Sequence, residues 1–363
     1  MTQSAPLLEV ENLQVGGAGF LVVDKVSFTV GQGESFGIAG ESGSGKSTLL
    51  LSLMGMMRPG LQAISGSVRL NGSPMLGQSE AALASVRGSE IALIPQNAAS
   101  ALNPSRRIGA QIDEALMLHS ALNRRERPER VLDLLGKVLL PEPAEIGHRF
   151  PHELSGGQVQ RAAIAMALAG EPNVLLLDEP TTGLDVTTQS ALLDLLVDLQ
   201  HRSKVAMVCV SHDLGVLARL CDRIGVMYAG AMVEEGPLVS VLARPQHPYT
   251  QALAASIPRL EGAGLPLPIE GSPPSLFNLP SGCRFAPRCA FVQDACHTQR
   301  PELILVEKDH KIACLRPNIA PAPPPNYRIC QRSPAALCSR AFGWLCQTWY
   351  IRPKRANARG RRR

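Results

Sequence analysis

The sequence lacks any stretch of about 18 uninterrupted apolar residues, the length that a membrane-spanning helix needs. Residues 1–6 also lack the basic start and the apolar run of a secretory signal peptide. We therefore expect the chain to stay in the cytoplasm and to contact a membrane only through partner proteins.

Acidic residues are absent beyond Asp309, although the 363-residue chain contains 31 of them. Residues 1–309 carry these 31 acidic side chains and 24 of the 36 Lys and Arg, a net charge of −7, whereas residues 310–363 carry +12. Surfaces that bind nucleic acid work by neutralising phosphates, so an acidic body argues against nucleic acid as a partner. The basic excess belongs to a tail.

Hydrophobic residues make up 45% of the chain, enough to bury a large core in two or three structural units. Alternating apolar residues predict a small antiparallel sheet from residues 7–13, 26–30 and 64–71. Continuous apolar runs predict buried parallel strands at residues 36–39, 174–177 and 205–210. Helical spacing between residues 97 and 170, as in Ile108, Ile112, Ala115 and Leu116, predicts a helical insertion. The pattern indicates an α/β fold.

A phosphate-binding loop follows the first buried strand and precedes a predicted helix over residues 48–57. The pattern of Gly, four residues, Gly, Lys and Ser is formed by Gly40, Glu41, Ser42, Gly43, Ser44, Gly45, Lys46 and Ser47. Glycines let backbone N–H groups close around phosphates, and the helix N-terminus beginning at Thr48 favours anions. We expect Lys46 to reach the β- and γ-phosphates of a nucleotide and Ser47 to bind Mg²⁺.

Two carboxylates, Asp178 and Glu179, end the apolar run at 174–177, where open α/β sheets place their ligands. Asp178 is a candidate Mg²⁺ ligand. Glu179 is the candidate that polarises the attacking water, since phosphoryl transfer depends on positioning and charge stabilisation. An acidic pair at a strand end can also be merely solvated, but the phosphate-binding loop favours a nucleotidase.

A third motif, Leu154-Ser155-Gly156-Gly157-Gln158, precedes a predicted helix over residues 159–168. This segment resembles the signature motif of the ATP-binding subunits of ABC transporters, and the motif spacing resembles theirs over residues 5–240. The resemblance implies a P-loop NTPase core of the RecA type, an antiparallel β subdomain, a helical signature subdomain at about residues 97–170 and a C-terminal extension.

Three further residues match landmarks of that family in the family's order. Gln96 resembles the Q-loop glutamine, Asp185 the D-loop aspartate and His212 the switch histidine. The resemblance implies that Glu179, His212 and Gln96 act in ATP hydrolysis, and that Mg²⁺ is held by Ser47, Gln96 and Asp178. It also implies a sandwich dimer, in which Ser155, Gly156, Gly157 and Gln158 of one subunit complete the ATP site of the other. Asp185 is a further nucleotide-binding residue that the resemblance implies.

Two segments resemble the oligopeptide and dipeptide importer branch, which includes nickel importers. They are residues 101–112, beginning Ala101-Leu102-Asn103-Pro104, and residues 247–258, beginning His247-Pro248-Tyr249-Thr250. The resemblance implies a peptide-transport ATPase (a translocase) with a second ATP-binding subunit, two transmembrane permease subunits and a periplasmic solute-binding protein. It places the chain peripherally on the cytoplasmic face of the inner membrane. A soluble ABC ATPase would typically carry a long coiled-coil insertion or two ATP-binding halves, and the sequence shows neither.

Four cysteines, Cys283, Cys289, Cys296 and Cys314, cluster in a segment rich in Pro and Gly. Their spacings match neither paired zinc knuckles nor ferredoxins. Members of the resembled branch carry a four-cysteine cluster here, which implies a candidate [4Fe–4S] centre. Four reduced thiols without metal remain an alternative, since the cytoplasm keeps thiols reduced. A redox-sensing iron–sulfur protein that also binds ATP is another.

The chain is thus predicted to have three units. Residues 5–256 form the ATP-binding domain, residues 257–318 the extension with the cysteines, and residues 319–363 a basic tail. The composition of the tail favours disorder, with membrane-surface binding by its basic and aromatic residues as the alternative.

Overall fold

The structure, a computed structural model, describes residues 5–256 and 268–316. The strands are β1 (Leu8–Gly17), β2 (Phe20–Val30), β3 (Ser35–Ala39), β4 (Gln62–Leu70), β5 (Ser73–Pro74), β6 (Ile91–Ile94), β7 (Val174–Asp178), β8 (Ala206–Ser211), β9 (Arg223–Tyr228), β10 (Ala231–Pro237), β11 (Ile304–Glu307) and β12 (His310–Ile312). The helices are α1 (Lys46–Leu53), α2 (Glu80–Val86), α3 (Ala98–Ala101), α4 (Ile108–His119), α5 (Arg127–Lys137), α6 (Pro143–His148), α7 (Gly156–Ala167), α8 (Val186–Ser203), α9 (Leu214–Leu220), α10 (Leu238–Ala243), α11 (Pro248–Ala255) and α12 (Asp294–Thr298). Within those two ranges no helix combines the length and apolar character that crossing a membrane requires.

An eight-stranded sheet forms the centre, in the order β11-β12-β10-β9-β3-β8-β7-β6. The five strands β9, β3, β8, β7 and β6 run parallel to one another. The three runs predicted as buried parallel strands are β3, β7 and β8. At the other side β10, β12 and β11 continue the sheet in antiparallel fashion.

Both faces of the parallel strands are covered, which explains their continuous apolar sequences. Alternate residues of a strand point to opposite faces, so β7 sends Leu175 and Leu177 into one core and Val174 and Leu176 into the other. All four side chains are fully buried. The first core lies toward the helices α4–α9, and the second toward α1 and the small sheet.

Two subdomains flank the central sheet. A four-stranded antiparallel sheet has the order β2-β1-β4-β5, as the alternating segments predicted. The insertion between β6 and β7 is helical, and Ile108, Ile112 and Leu116 form one buried face of α4. The predicted α/β fold with antiparallel and helical subdomains is confirmed.

The described part of the extension is held on the ATP-binding body by strand pairing and by ion pairs. Strand β12 pairs with β10, matching Glu234 to Ile312. Glu234 also lies 2.7 Å from Nε2 of His310, with both side chains buried. The boundaries of the three predicted units stay predictions, and residues 257–267 and the tail at 319–363 lie outside the described residues.

A buried carboxylate, Asp24, ties β2 to the extension. It forms ion pairs with Arg284 and, at 2.7 Å, with Arg300, and it accepts a hydrogen bond from Gln14 at 2.8 Å. Burial alone would raise the pKa of Asp24, but the Gln14 and Arg300 hydrogen bonds and the charge of Arg284 lower it below its usual value of 3.8. The contribution of Asp24 to stability is therefore present above pH 3.8 and is lost as the pH falls below that value.

We expect Asp24→Ala to lower the free energy of unfolding by about 3 kcal/mol, because the Arg284 guanidinium would stay buried without its carboxylate. Urea unfolding at pH 7 measures this change. The control is Asp198→Ala, which removes an exposed ion pair with Arg202 and should cost less than about 1 kcal/mol. Equal losses in the two variants would contradict the assignment of a buried, stabilising pair.

Candidate functional site

The phosphate-binding loop connects β3 to α1, as predicted. Gly45 caps α1 with φ of 98°, a left-handed conformation, and a Cβ there would lie 2.4 Å from the carbonyl oxygen of Val22. Glycine is therefore required by both conformation and space. Lys46 is 5% exposed, and its Nζ donates to the carbonyl oxygens of Gly40 and Glu41 at 2.8 and 2.9 Å. Burial lowers the pKa of Lys46, against the opposing charges of Glu179 and Asp178.

The loop has the chemistry of an anion site. The Ser44 hydroxyl is buried and has no hydrogen-bond partner within the described residues. Buried polar groups are normally paired, so an unpaired hydroxyl beside a cationic lysine and a helix N-terminus fits a phosphate. Ser42 and Gly43 are exposed at the tip of the loop, and Thr48 is buried in the first turn of α1.

Ser47 and Asp178 meet at the start of α1 and the end of β7. The Ser47 hydroxyl donates to Oδ1 of Asp178 at 3.0 Å. Burial raises the pKa of Asp178 despite this hydrogen bond, and the charge of neighbouring Glu179 raises it further. A hydroxyl and a carboxylate are oxygen ligands of the kind that Mg²⁺ prefers, so these two residues fit a magnesium site.

Glu179 is the point where three polar side chains converge. Its Oε2 accepts hydrogen bonds from Nε2 of Gln96 at 3.3 Å and from the Thr182 hydroxyl at 3.1 Å, and Nδ1 of His212 lies 3.1 Å away. Glu179 has φ of 47°, which is uncommon for a residue with a side chain and costs on the order of 1 kcal/mol. Its N–H donates to the carbonyl oxygen of Val210, so the strained backbone is held by the sheet.

The signature segment begins α7 with a capping box. The Ser155 hydroxyl accepts from the N–H of Gln158, and the Gln158 side chain accepts from the N–H of Ser155. The helix therefore begins at Gly156, three residues before the predicted start. Gly157 packs against Thr188, because a Cβ on Gly157 would lie 2.4 Å from the Thr188 methyl group.

Asp185 caps the neighbouring helix, α8. It accepts from the N–H groups of Thr187 and Thr188, both at 3.0 Å, and from the Thr188 hydroxyl at 2.6 Å. These hydrogen bonds lower the pKa of Asp185. The signature segment and Asp185 are thus joined through Thr188.

The predicted site residues consequently form two groups. One group contains the phosphate-binding loop with Asp178, Glu179, Gln96 and His212, and the other contains residues 155–158 with Asp185. In the described ranges no hydrogen bond or ion pair of the structure joins the two groups. Much of the second group is exposed, including Ser155, Gly156 and Asp185.

Sequence reasoning missed three residues that touch the first group. Thr182 lies within the segment noted around Asp185, and its hydroxyl contacts Glu179. Tyr249 and Arg288 bind Glu41 from far along the chain, through contacts with no sequence signal. The ring of Phe20 packs against that of Phe277 in the extension, with the centroids 4.4 Å apart and the ring planes tilted by 43°.

The four clustered cysteines line one cavity, together with His247, Pro248, Phe285, Ala286, Phe291, Leu315 and Arg316. All four thiols are free. Burial raises the pKa of Cys283, Cys289 and Cys314, and thus disfavours their thiolate forms. Among the described residues no group of three or more His, Cys, Asp or Glu side chains has an arrangement that holds a metal ion. The thiols converge, but they do not form a closed ligand set.

Two known families match this chain. Residues 23–182 match the ABC transporter family, and residues 233–296 match the oligopeptide/dipeptide transporter C-terminal region. The dipeptide transport ATP-binding protein DppD of Bacillus subtilis (strain 168) is 40% identical over 314 residues, covering 85% of this chain and 94% of DppD. A Brucella abortus (strain 2308) protein, named provisionally as a peptide import ATP-binding protein, is 43% identical over 308 residues, covering 84% and 93%.

The chain belongs to the ABC transporter ATP-binding subunits. Solved ABC cassettes share its fold. The dimeric, post-hydrolysis structure of the ATP-binding cassette MJ0796 with ADP and Pi is 28% identical, with a TM-score of 0.57, and covers 64% of this chain and 98% of that one. The cbiO1 subunit of a Clostridium perfringens ABC transporter complex, cbiONQ, is also 28% identical, with a TM-score of 0.59 and coverage of 66% and 92%. This ABC subunit is an ATPase with the predicted P-loop NTPase fold.

We expect Asp178→Asn to stabilise the nucleotide-free ABC subunit and to weaken its response to Mg²⁺ and ATP. The raised pKa of Asp178 shows that folding disfavours the charged carboxylate, and an amide removes that charge while keeping an oxygen that can accept from Ser47. Thermal unfolding with and without MgATP measures both effects. Asp113→Asn, at a half-exposed ion pair with Arg127, is the control that should leave the nucleotide response unchanged. A lower unfolding temperature for nucleotide-free Asp178→Asn would contradict this interpretation.

Proposed function

We propose that this chain energises an importer of dipeptides or oligopeptides by binding and hydrolysing ATP. The observation that carries the proposal is the match of residues 233–296 to the oligopeptide/dipeptide transporter C-terminal region, on a chain with 40% identity to a dipeptide transport ATP-binding protein. No residue of this chain need touch a peptide, because substrate choice would belong to the membrane and periplasmic partners.

The proposed binding step uses the phosphate-binding loop. Lys46 holds two loop carbonyls in the nucleotide-free structure and would exchange them for the β- and γ-phosphates, while residues 40–48 enclose the phosphates with their N–H groups. Ser47, Asp178 and Gln96 would hold Mg²⁺, which supplies charge neutralisation of the phosphate oxygens when it is bound.

The proposed hydrolysis step uses the group around Glu179. Glu179 would orient and polarise the attacking water, since it is the carboxylate on which three polar side chains converge. Gln96 would position this water and the metal. His212, with a side chain 59% exposed, would reach the γ-phosphate.

A second ATP-binding subunit would complete the site. Ser155, Gly156, Gly157, Gln158 and Asp185 form a separate, largely exposed group with a helix N-terminus at its centre. Such a group can supply a positive field to a triphosphate held by the opposite subunit. The separation of the two groups within one chain supports the sandwich dimer.

We further propose that the subunit is attached peripherally to the cytoplasmic face of the inner membrane through two permease subunits that work with a periplasmic solute-binding protein. Apolar side chains are exposed on the helical subdomain, including Met117 at 53% and Leu118 at 65%. Exposed apolar groups of this kind suit contact with a partner protein.

The import proposal is tested by identifying permeases that co-purify with this chain and reconstituting them in vesicles with the chain and a solute-binding protein. Labelled dipeptide should accumulate in an ATP-dependent manner. Accumulation of Ni²⁺ in place of peptide would overturn the peptide assignment and indicate a nickel importer. Absence of any permease that binds the chain would indicate a soluble ABC ATPase.

We expect Glu179→Gln to reduce ATP turnover about 100-fold or more, the size of a general-base contribution, and to stop uptake. ATP binding should persist, because the amide oxygen can still accept from Thr182. Turnover and nucleotide affinity are measured on the same preparation. Glu171→Gln, at an exposed ion pair with Arg130, is the control that should hydrolyse ATP normally. Near-normal turnover in Glu179→Gln would remove Glu179 from the role of base.

For the cysteine cavity we propose a soft metal centre, with a [4Fe–4S] cluster as the form to test. Four thiols lining one cavity support it, and the segment around them has few core-forming residues of its own. Metal binding would require the thiols to lose their protons and draw together. We expect anaerobically purified protein to contain iron and sulfide and to lose thermal stability in Cys289→Ser. A colourless, metal-free protein with unchanged stability in that variant would refute the proposal.

A further inference from the structure

Among the described residues, Arg288 of the extension forms an ion pair with the phosphate-binding loop. Its Nη1 and Nη2 donate to the two carboxylate oxygens of Glu41 at 2.7 and 3.1 Å. Arg288 is 4% exposed at its side chain and Glu41 is 25% exposed. This is a bidentate ion pair between residues that are 247 positions apart in the sequence.

Every N–H of the Arg288 guanidinium has an acceptor. Besides Glu41, Nη1 donates to the Tyr228 hydroxyl at 3.2 Å, Nη2 to the carbonyl oxygen of Ile269 at 3.2 Å, and Nε to that of Glu270 at 2.9 Å. A guanidinium has five N–H donors, and five acceptors surround this one. Lysine could not reproduce the set, because its ammonium has three donors and no planar fork.

Glu41 is held at its backbone as well as at its carboxylate. Its N–H donates to the hydroxyl of Tyr249 at 2.9 Å, and its carbonyl oxygen accepts from Nζ of Lys46 at 2.9 Å. Glu41 therefore lies between Lys46, which is buried in the loop, and two anchors outside it. The carbonyl oxygen of Glu41 therefore helps to fix the position of Lys46 Nζ in the nucleotide-free structure.

Arg288 is also adjacent to the cysteine cavity. It ends the turn Ala286–Arg288 and directly precedes Cys289. Phe285 lines the cavity and packs on Tyr249, with ring centroids 5.4 Å apart. Both anchors of Glu41 thus contact, or are bonded to, residues that line the cavity.

We propose that Arg288 is a positioning residue of the ATP site, which holds the phosphate-binding loop in its nucleotide-accepting shape through Glu41. The proposal rests on the role proposed above for that loop in ATP binding. The family match of residues 233–296 associates the extension with transport only. A positioning role of Arg288 would also make the extension part of the nucleotide site.

The proposal predicts a particular kinetic signature. Arg288 does not touch Glu179, Gln96 or His212, so its loss should leave the hydrolytic group in place. A loop that is less well ordered binds ATP more weakly, because part of the binding free energy is then used to order the loop. Loss of Arg288 should raise KM for ATP and change kcat little, whereas simple destabilisation would lower kcat with the active fraction and leave KM unchanged.

The test is Arg288→Met in the full-length chain, with ATP affinity measured by equilibrium binding and the KM and kcat of ATP hydrolysis measured on the same protein. We expect the affinity to fall about tenfold, the effect of losing one charge-assisted pair. Arg288→Lys should restore only part of it. Glu41→Gln should weaken binding similarly, and the double variant should be no worse than Arg288→Met alone.

Arg244→Met is the matched control, because Arg244 also joins the body to the extension, through Glu307 at 3.4 Å, but forms no hydrogen bond or ion pair with the phosphate-binding loop within the described residues. Unchanged affinity in folded Arg288→Met, or an equal loss in Arg244→Met, would overturn the proposal. If Arg288→Met fails to fold, Arg288→Lys and Glu41→Gln decide, since additive losses would refute the coupling. Lys46→Ala distinguishes failure of the Arg288 proposal from failure of the loop's proposed role. If ATP binds weakly to Lys46→Ala but normally to Arg288→Met, only the proposal for Arg288 is refuted. If ATP binds normally to Lys46→Ala, the role of the loop in ATP binding is itself refuted.

Discussion

The parallel pairing of the buried strands is the constraint on which the site depends. Because β3, β6, β7 and β8 run in one direction, their carboxyl ends share one edge of the sheet. The phosphate-binding loop, Gln96, the pair Asp178 and Glu179, and His212 each follow one of these ends within a few residues. The pairing of the strands alone therefore brings together segments that are far apart in sequence. The two hydrophobic cores that cover the sheet fix this edge to the precision that hydrogen bonds of about 3 Å require.

The site has unfavourable local features that the surrounding fold must offset. Lys46 and Asp178 are both disfavoured in their charged forms by burial, as their pKa shifts show. Glu179 adds a left-handed backbone, and Ser44 an unpaired hydroxyl. The burial of Lys46, Asp178 and the Ser44 hydroxyl would be compensated by a ligand that carries negative charge and bound metal, so part of the cost of folding this edge is recovered on binding. This pattern is typical of sites organised before their ligand arrives.

Six strands (β1 to β4, β7 and β8), the helical insertion and the strand-end residues could be predicted from the sequence because their signals are local. Apolar runs such as Val174 to Leu177 report burial on both faces, and the loop at 40–47 has a spacing dictated by phosphate geometry. The hairpin of β9 and β10 was not predicted, since Glu234 and Glu235 interrupt its apolar pattern. Both carboxylates are nevertheless buried, because His310 and Arg223 pair with them. Arg288 could not be found either, since its partner lies 247 residues away.

The buried contacts between the extension and the body have their acidic partners on the body side. Asp24 and Glu41 of the body pair with Arg284 and Arg288 of the extension, and Glu234 of the body faces the imidazole of His310. An intact buried ion pair adds little net stability, because desolvation offsets the attraction between its charges. Removing one partner is costly, since the other charge stays buried and unpaired. These pairs therefore favour one arrangement of the extension on the body more than they raise the free energy of unfolding. One of the three body residues lies in the phosphate-binding loop. A movement of the extension that displaces Arg288 would therefore displace Glu41 and alter the surroundings of Lys46. The position of the extension and the geometry of the nucleotide site are coupled through this ion pair.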